Sequence, residues 1–428
     1  MKKPNWRYLK ITTNSNIMGL IKRIKNSSKP LFAQILELIP SHIIESSASE
    51  HRSDHYTKSY STRTQLIAML FGQLNHCGTL RDIVAGFNVS EDFLRDLGLE
   101  KSPARSTMGD GHSKRDWRVY ETIFNKTLAY YKRLFHRTAS AGALKVLEGK
   151  AVKIVDSSTV TLCLNMFPWA KYKQKKGAVK IHTKLDYDDD LPEVIHLSDG
   201  RLHDRKALPH LQIRDNSVII DDRAYYDFGA FVDFIQRDVT FVTRVKGNAD
   251  YKVIQSCELS LKDEQEGIRY AKKIQMRGDK AFETTLCDHE LRLIGSWNEI
   301  EGKVVEILTN NPDWEAHVVG QIYRSRWKIE TFFKGLKQNL QVKTFIGTSE
   351  NAVKSQIYIA LLAYVLIEFI RKHMAEQSHA QKQFFNLIRI CLYQYQGIKY
   401  IISGIPLISL SVAAKCEPTN QLSLFNTT

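Results

Sequence analysis

The chain has few of the features that staple, anchor or fuel a protein. Its six cysteines (Cys77, Cys163, Cys257, Cys287, Cys391 and Cys416) are scattered with no C-x-x-C pair, so neither a disulfide framework nor a zinc ribbon is indicated. The nearest thing to a ligand cluster, Cys287, Asp288, His289 and Glu290, falls inside an alternating, strand-like run. The longest apolar run, Ile357 to Ile370, is too short to span a bilayer and carries Glu368, so a buried core helix is expected there. The opening MKKPNWRYLK lacks the apolar core of a signal peptide, which leads to the expectation of a cytoplasmic, nucleoid-associated protein with no membrane partner. No Walker loop is present, so ATP is not implied. No G-x-S-x-G surrounds Ser157 or Ser158, and His203 with Asp204 reads as a helix cap rather than part of a triad. Acidic residues are the minority charge, 46 against 61 lysines and arginines, giving a formal +15 and a pI near 9.3. That balance favours a polyanionic partner, nucleic acid above all.

What is present divides by hydrophobic period. With 428 residues the chain is long enough for two or three domains with substantial cores. Residues 1–29 read as a basic arm. From Leu31 the pattern is helical: LFAQILELI, then TRTQLIAMLFGQLNH with Leu66, Ile67, Leu70 and Leu74 on one side, then TLRDIVAGF and SEDFLRDLGL. Thr79 and Ser90 are the expected N-caps and Gly98 the stop. A longer helix follows, with Trp117, Tyr120, Phe124, Tyr131 and Leu134 on its inner face. Short helices with tight turns suit a DNA-end-binding domain of helix-turn-helix character over residues 30–145, with Arg105, Lys114 and Arg115 as candidate phosphate contacts.

At Ala151 the period changes. AVKIVDSSTVTL predicts a short buried strand ending on Asp156, and AVKIHTKLDYD and PEVIHLSDG predict two more around the acidic turn Asp188, Asp189, Asp190. Then come a helix over DRKALPHLQI, a strand over SVIIDD, a helix over YDFGAFVDFIQR and a strand over VTFVTRV. That order predicts an α/β, RNase H-like catalytic core over residues 146–375, with a mixed sheet and helices packed on it. Carboxylates ending the first and fourth strands would then lie side by side: Asp156, with either Asp221 or Asp222. Neighbours on a strand point opposite ways, and the run Val218, Ile219, Ile220 does not say which of the two faces the site. Residues 245–300 read as a β-rich insertion, after which KVVEILTN returns to the sheet. Ser349 should cap a nearly all-apolar helix covering the sheet's other face, and residues 376–428 form a helical region with a terminal tail.

The most informative stretch is Trp314 to Leu340, WEAHVVGQIYRSRWKIETFFKGLKQNL. Ile322, Ile329, Phe333, Leu336 and Leu340 recur at helical spacing behind the start signals Asn310 to Asp313, which predicts one long amphipathic helix. At about 100° per residue, Tyr323, Arg326, Glu330 and Lys337 fall within roughly 60° of one another. A solvated face with an Arg326–Glu330 pair would use the same spacing.

The pattern Y, two residues, R, three residues, E, six residues, K, within RW-IE-FFK, resembles the signature helix of cut-and-paste DDE transposases, the family numbered four among insertion sequences. The resemblance implies three acids, Asp156, Asp222 and Glu330, that hold two Mg²⁺ ions, with Mn²⁺ as a substitute, and cut and rejoin DNA. It selects Asp222 over Asp221, because the family's second acid precedes a residue followed by Gly or Ala and an aromatic, as in Asp222, Arg223, Ala224, Tyr225. Tyr323, Arg326, Lys337 and Arg223 would then grip end DNA, and Trp297 would hold a flipped base. The partners implied are double-stranded DNA, as transposon ends and target, and a second copy of the chain in the synaptic complex. Separately, Gln421, Leu422, Ser423, Leu424 and Phe425 resemble the peptide with which bacterial proteins dock on the replication sliding clamp. Two other readings use the same residues: an RNase H-like nuclease that cuts without strand transfer, and a catalytically silent DNA-binding regulator derived from a transposase.

Overall fold

Helices begin where a side chain can accept the first free N–H groups. The computed structural model describes residues 28–134, 145–163, 166–173, 176–340, 345–373, 380–395 and 397–398. Nearly all of the basic arm, and the clamp-like peptide Gln421–Phe425, lie outside the described residues. Among the described residues seven helices precede the sheet: α1 (Leu31–Leu36), α2 (Ser41–Glu50), α3 (Thr62–Leu74), α4 (Leu80–Phe87), α5 (Glu91–Asp96), α6 (Arg105–Lys114) and α7 (Arg118–Leu134). Thr79 and Asp82 form a reciprocal capping box on α4, and Ser90 caps α5 through the Phe93 N–H. The chain turns away after α5 at Gly98, whose φ of +72° suits a residue without a side chain.

A ten-stranded sheet follows. Its strands are β1 (Ala151–Cys163), β2 (Lys171–Lys173), β3 (Lys176–Asp186), β4 (Pro192–Asp199), β5 (Ser217–Ile220), β6 (Thr240–Arg244), β7 (Tyr251–Cys257), β8 (Ile268–Met276), β9 (Leu291–Asn298) and β10 (Lys303–Thr309). Across the sheet the order is β2-β3-β1-β5-β6-β10-β9-β8-β7, with β4 also paired to β3. β1, β5 and β6 are parallel, while β3 and β10 flank them antiparallel. β10, over KVVEILTN, returns to the central sheet beside β6 as expected, and β9, β8 and β7 extend the sheet outward from it. Between them lie three helices: α8 (Phe228–Gln236) between β5 and β6, α9 (Leu261–Gln265) between β7 and β8, and α10 (Asp279–Glu283) between β8 and β9.

Several local expectations differ. The segment read as a helix over DRKALPHLQI is a 3-10 helix, Asp204–Leu211, and contains Pro209, which cannot donate to an α-helical ladder. The alternating run through Cys287 is not one strand. It holds α10 and the 3-10 turn Leu286–Asp288, entered through Thr285 in the left-handed region at φ +62°, before β9 begins.

Four further helices close the fold: α11 (Ala316–Arg324), α12 (Trp327–Asn339), α13 (Glu350–His373) and α14 (Gln381–Ile390). Ser349 caps α13 through the Ala352 N–H, as expected. By length and composition α13 could cross a membrane, but 94% of its apolar window is buried inside the protein. It packs on α3, α6 and α7, where Trp117 stacks on Tyr358 at 5.7 Å and Tyr358 donates to Glu121 at 2.6 Å. One continuous core therefore joins the amino-terminal helices, α13 and the sheet face carrying Val152, Ile154, Ile220 and Val242. A second core, under the Asp204–Leu211 segment and α8, lies on the face of Val155, Ile219 and Phe241.

Arg115 corrects the reading of the helical block. Its side chain is 6% exposed. It donates to Gln65 Oε1, to the Tyr60 carbonyl at 2.7 Å and to Asp54 at 3.3 Å, so its hydrogen-bonding fork is engaged inside the protein. Arg105 and Lys114 are exposed, Lys114 beside Asp110 at 3.2 Å. Arg115→Ala is expected to lower stability by on the order of 3 kcal/mol, because it strands buried acceptors. Urea unfolding measures this; unchanged stability with weakened DNA binding would mark a surface phosphate contact instead.

Candidate active site

Strand register brings the acids together. β1 pairs with β5 at Ile154↔Ile220, and β5 with β6 at Ile220↔Val242, so these three residues form a row across the parallel strands. Two residues further along stand Asp156, Asp222 and Arg244. Side chains alternate between faces, so the three belong to the face that carries Ile154, Ile220 and Val242. Asp221 shares the opposite face with Ile219. It is 1% exposed, and neither of its carboxylate oxygens, nor the neighbouring Thr243 hydroxyl, has a well-formed hydrogen bond. β1 does not end on Asp156. It is thirteen residues long and runs on to Cys163, because β3 pairs with it from Lys153 to Cys163 while β5 pairs only as far as Ile154. Asp156 is thus held mid-strand on one side and stands at an open sheet edge on the other.

The stretch predicted as one helix is two. The turn between α11 and α12 is wound tightly, with the N–H groups of Arg326, Lys328 and Ile329 each bonding three residues back, at 3.0, 3.0 and 3.1 Å. Ser325 Oγ also donates to the Ile322 carbonyl at 2.5 Å, a back-bond that competes with the helical ladder. Arg326 occupies this turn. One of its terminal nitrogens lies 3.5 Å from Asp156 Oδ2 and the other 2.5 Å from Glu330 Oε1, so a single guanidinium spans β1 and α12. The Arg326–Glu330 pair of an ordinary solvated face is therefore present, but it is tied to the sheet. The Arg326 Nε is buried without a partner.

The electrostatics record this crowding. Burial pushes the Asp156 carboxyl up to about 6; the Ser157 N–H bond at 2.7 Å and Arg326 oppose the shift, and Asp222 and Glu330 add to it. Burial likewise raises Tyr323 to about 12, against the pull of Arg326, and raises Asp221 to about 8. Among the described residues no three His, Cys, Asp or Glu side chains already close around a common ion position. Asp156 and Glu330 are nevertheless hard oxygen donors on one guanidinium, with Asp222 close enough for its charge to act on both Asp156 and Arg326, and oxygen donors of this kind suit a small divalent ion.

The remaining candidates sit around this centre. Lys337 lies further along α12 and donates to the Thr159 carbonyl of β1 at 3.2 Å. Arg223 is exposed immediately beyond Asp222. Trp297, on β9, is 38% exposed with Arg269 over its ring at 5.5 Å. The Cys287 cluster does not gather, since Glu290 pairs with Lys273 at 3.0 Å. Sequence reasoning missed Arg244, which grips Glu301 of the β9–β10 turn with two bonds of 3.1 Å and feels the charges of Tyr323 and Asp222. Once β5 and β6 are taken as parallel neighbours, a strand-end residue level with Asp222 is the signal that would have found it. It also missed Lys328, which donates to the Tyr187 carbonyl at 2.6 Å and pairs with Asp190, tying α12 to the β3–β4 turn.

Comparison with known proteins bears on the family. Residues 148–366, just over half of the chain, match the family described as "Transposase DDE domain", and residues 27–100 match "Domain of unknown function (DUF4372)". A Geobacillus stearothermophilus protein, provisionally named the transposase of insertion sequence element IS5377, is 28% identical over 240 residues. The match covers 56% of this chain and 62% of that protein, less than two thirds of its length. The y4zB protein of Sinorhizobium fredii, also provisionally named a transposase, is 25% identical over 323 residues, covering 75% of this chain and 86% of its own. Among solved structures, the piggyBac transposase synaptic complex with hairpin DNA matches at a TM-score of 0.41 and 13% identity, over 91% of this chain and 84% of that one. The extent of the first match decides the assignment: the chain belongs to the Transposase DDE domain family.

Proposed function

We propose that this protein is a transposase that binds the terminal inverted repeats of its own insertion sequence, cuts the DNA and joins the freed ends elsewhere. The observation that carries the reading is the Arg326 guanidinium shared by Asp156 and Glu330, beside Asp222, at the open edge between β1 and β5. Packing alone gives no reason to gather three carboxylates there, because like charges at short range repel. The strand order β4-β3-β1-β5-β6 supports an RNase H-like core, and the YREK spacing supports the family numbered four among insertion sequences.

Asp156, Asp222 and Glu330 would hold two Mg²⁺ ions, or Mn²⁺ in their place. When bound, such ions supply Lewis-acid activation of an attacking water or 3′-hydroxyl and stabilise the departing oxygen. Arg326 meanwhile neutralises part of the acidic charge and carries a guanidinium whose terminal nitrogens can pair with a phosphate. Tyr323, protonated throughout the working range, donates a hydrogen bond to end-strand phosphate, and Lys337 and Arg223 add cationic contacts. Trp297 offers an aromatic face to a displaced base. Arg105 and Lys114 contact phosphate from the helical block, which recognises the inverted repeat. Two copies pair the ends, the tail peptide Gln421–Phe425 docks on the sliding clamp, and the protein works in the cytoplasm on the nucleoid.

Glu330→Gln is expected to reduce excision of a flanked element to background while end binding persists in a gel-shift assay; full excision by that variant contradicts the assignment. A second outcome concerns pH. Asp221 and Asp156 have folded-state pKa values raised to about 8 and about 6, above the unfolded value of about 4. The folded state therefore binds protons more tightly, so this stability is fully present below pH about 4 and is lost as pH rises through the folded values. In chelator, Asp221→Asn should match wild type near pH 4 and become the more stable protein toward pH 8 to 9, as read by urea unfolding. An advantage confined to low pH would contradict the sign.

A further inference from the structure

Behind Asp156, on the opposite face of β1, lies a second charged centre that the proposed chemistry does not use. Asp204 opens the 3-10 segment Asp204–Leu211, and no side chain caps that segment, contrary to the cap expected from the sequence. Its carboxylate is turned onto the sheet instead. Asp204 Oδ1 accepts from Ser157 Oγ at 2.6 Å and from Lys180 Nζ at 3.2 Å, and lies 3.6 Å from His182 Nδ1. Lys180 and His182 belong to β3, where they pair directly with Thr159 and Ser157 of β1. Lys180 also donates to the Leu202 carbonyl at 2.9 Å, and His182 Nε2 shares a hydrogen bond with Ser198 Oγ at 2.9 Å. Burial lowers His182 to about 4, so the imidazole is neutral and Lys180 is the cation opposite Asp204. The hub thus fastens β1, β3, β4 and the loop entering the 3-10 segment around one residue, Asp204.

Ser157 is also the residue that holds Asp156. Its N–H donates to Asp156 Oδ1 at 2.7 Å, while its hydroxyl is held by Asp204 on the other face. One residue is therefore bonded on both sides of the sheet: backbone toward the acid, side chain toward the hub. A carboxylate at the open edge of a strand has rotamers to spare, and fixing the peptide that bonds it removes them.

We propose that Asp204 is a positioning residue for Asp156, acting through Ser157 to preset that carboxylate for a divalent ion. The inference rests on the proposed role of Asp156 as an ion ligand. Its test is Mn²⁺ affinity of the full-length protein without DNA, measured from the signal of free Mn²⁺ by electron paramagnetic resonance. Asp204→Asn and Ser157→Ala should each weaken Mn²⁺ binding by about 10-fold, the lower end of the range seen when a direct partner of a metal ligand is lost, because the Ser157 N–H itself remains. The double variant should be no weaker than the worse single one, since both act on one linkage, and Ser157→Thr, which keeps the hydroxyl, should bind like wild type. Ser157→Ala, which removes a single oxygen, keeps the test valid if Asp204→Asn fails to fold. Wild-type affinity in Ser157→Ala, or losses that multiply in the double variant, would overturn the proposal. Asp156→Asn separates the two levels: if it binds Mn²⁺ like wild type, the ligand assignment itself falls and takes the positioning role with it.

Discussion

Asp156 and Glu330 share one guanidinium with Asp222 near enough for its charge to be felt, and carboxylates gathered in this way repel unless a cation stands among them. Arg326 supplies that cation from the turn between two helices, reaching Asp156 on the sheet and Glu330 one helical turn onward. Its hold is partial. Burial keeps Asp156 raised to about 6 despite Arg326, and Asp222 and Glu330 add to the shift. A single guanidinium beside these acids is what the proposed centre would exchange for small divalent ions.

The remainder of the fold supplies rigidity to that centre. Parallel pairing of β1, β5 and β6 sets Asp156, Asp222 and Arg244 level, and the long antiparallel partner β3 holds β1 beyond the point where β5 stops. The tight turn at Ser325 and Arg326 aims the guanidinium at the sheet, while Lys328 and Lys337 tie α12 to the β3–β4 turn and to β1. Behind these, α13 is buried among the amino-terminal helices, so the block expected to bind DNA ends and the catalytic sheet share one core.

Much of this was legible in the residues themselves. Caps at Thr79, Ser90 and Ser349, the stop at Gly98 and the alternation of strands and helices after Ala151 follow from local chemistry, and they stand where that chemistry puts them. What was hidden depends on partners distant in sequence. The length of β1 is set by β3 and the hydrogen-bonded burial of Arg115 by Tyr60 and Gln65, neither visible in a local window. The choice between Asp221 and Asp222 turns on parity relative to Ile220, and an all-apolar strand buried on both faces carries no such parity in its composition. The helix break at Ser325 was missed for a different reason: serine, arginine and tryptophan are all acceptable in a helix, and only the back-bond to Ile322 shows that the ladder tightens there.

The central claim is that Asp156, Asp222 and Glu330 are the ligands of divalent ions and that Arg326 holds their place until the ions arrive. Anomalous scattering from crystals of the protein grown with its end DNA and Mn²⁺ tests this most directly. The account predicts manganese peaks among those three carboxylates, with the Arg326 guanidinium moved off Asp156 and onto a phosphate. Peaks elsewhere, or an Arg326 still spanning Asp156 and Glu330 beside bound DNA, would contradict it.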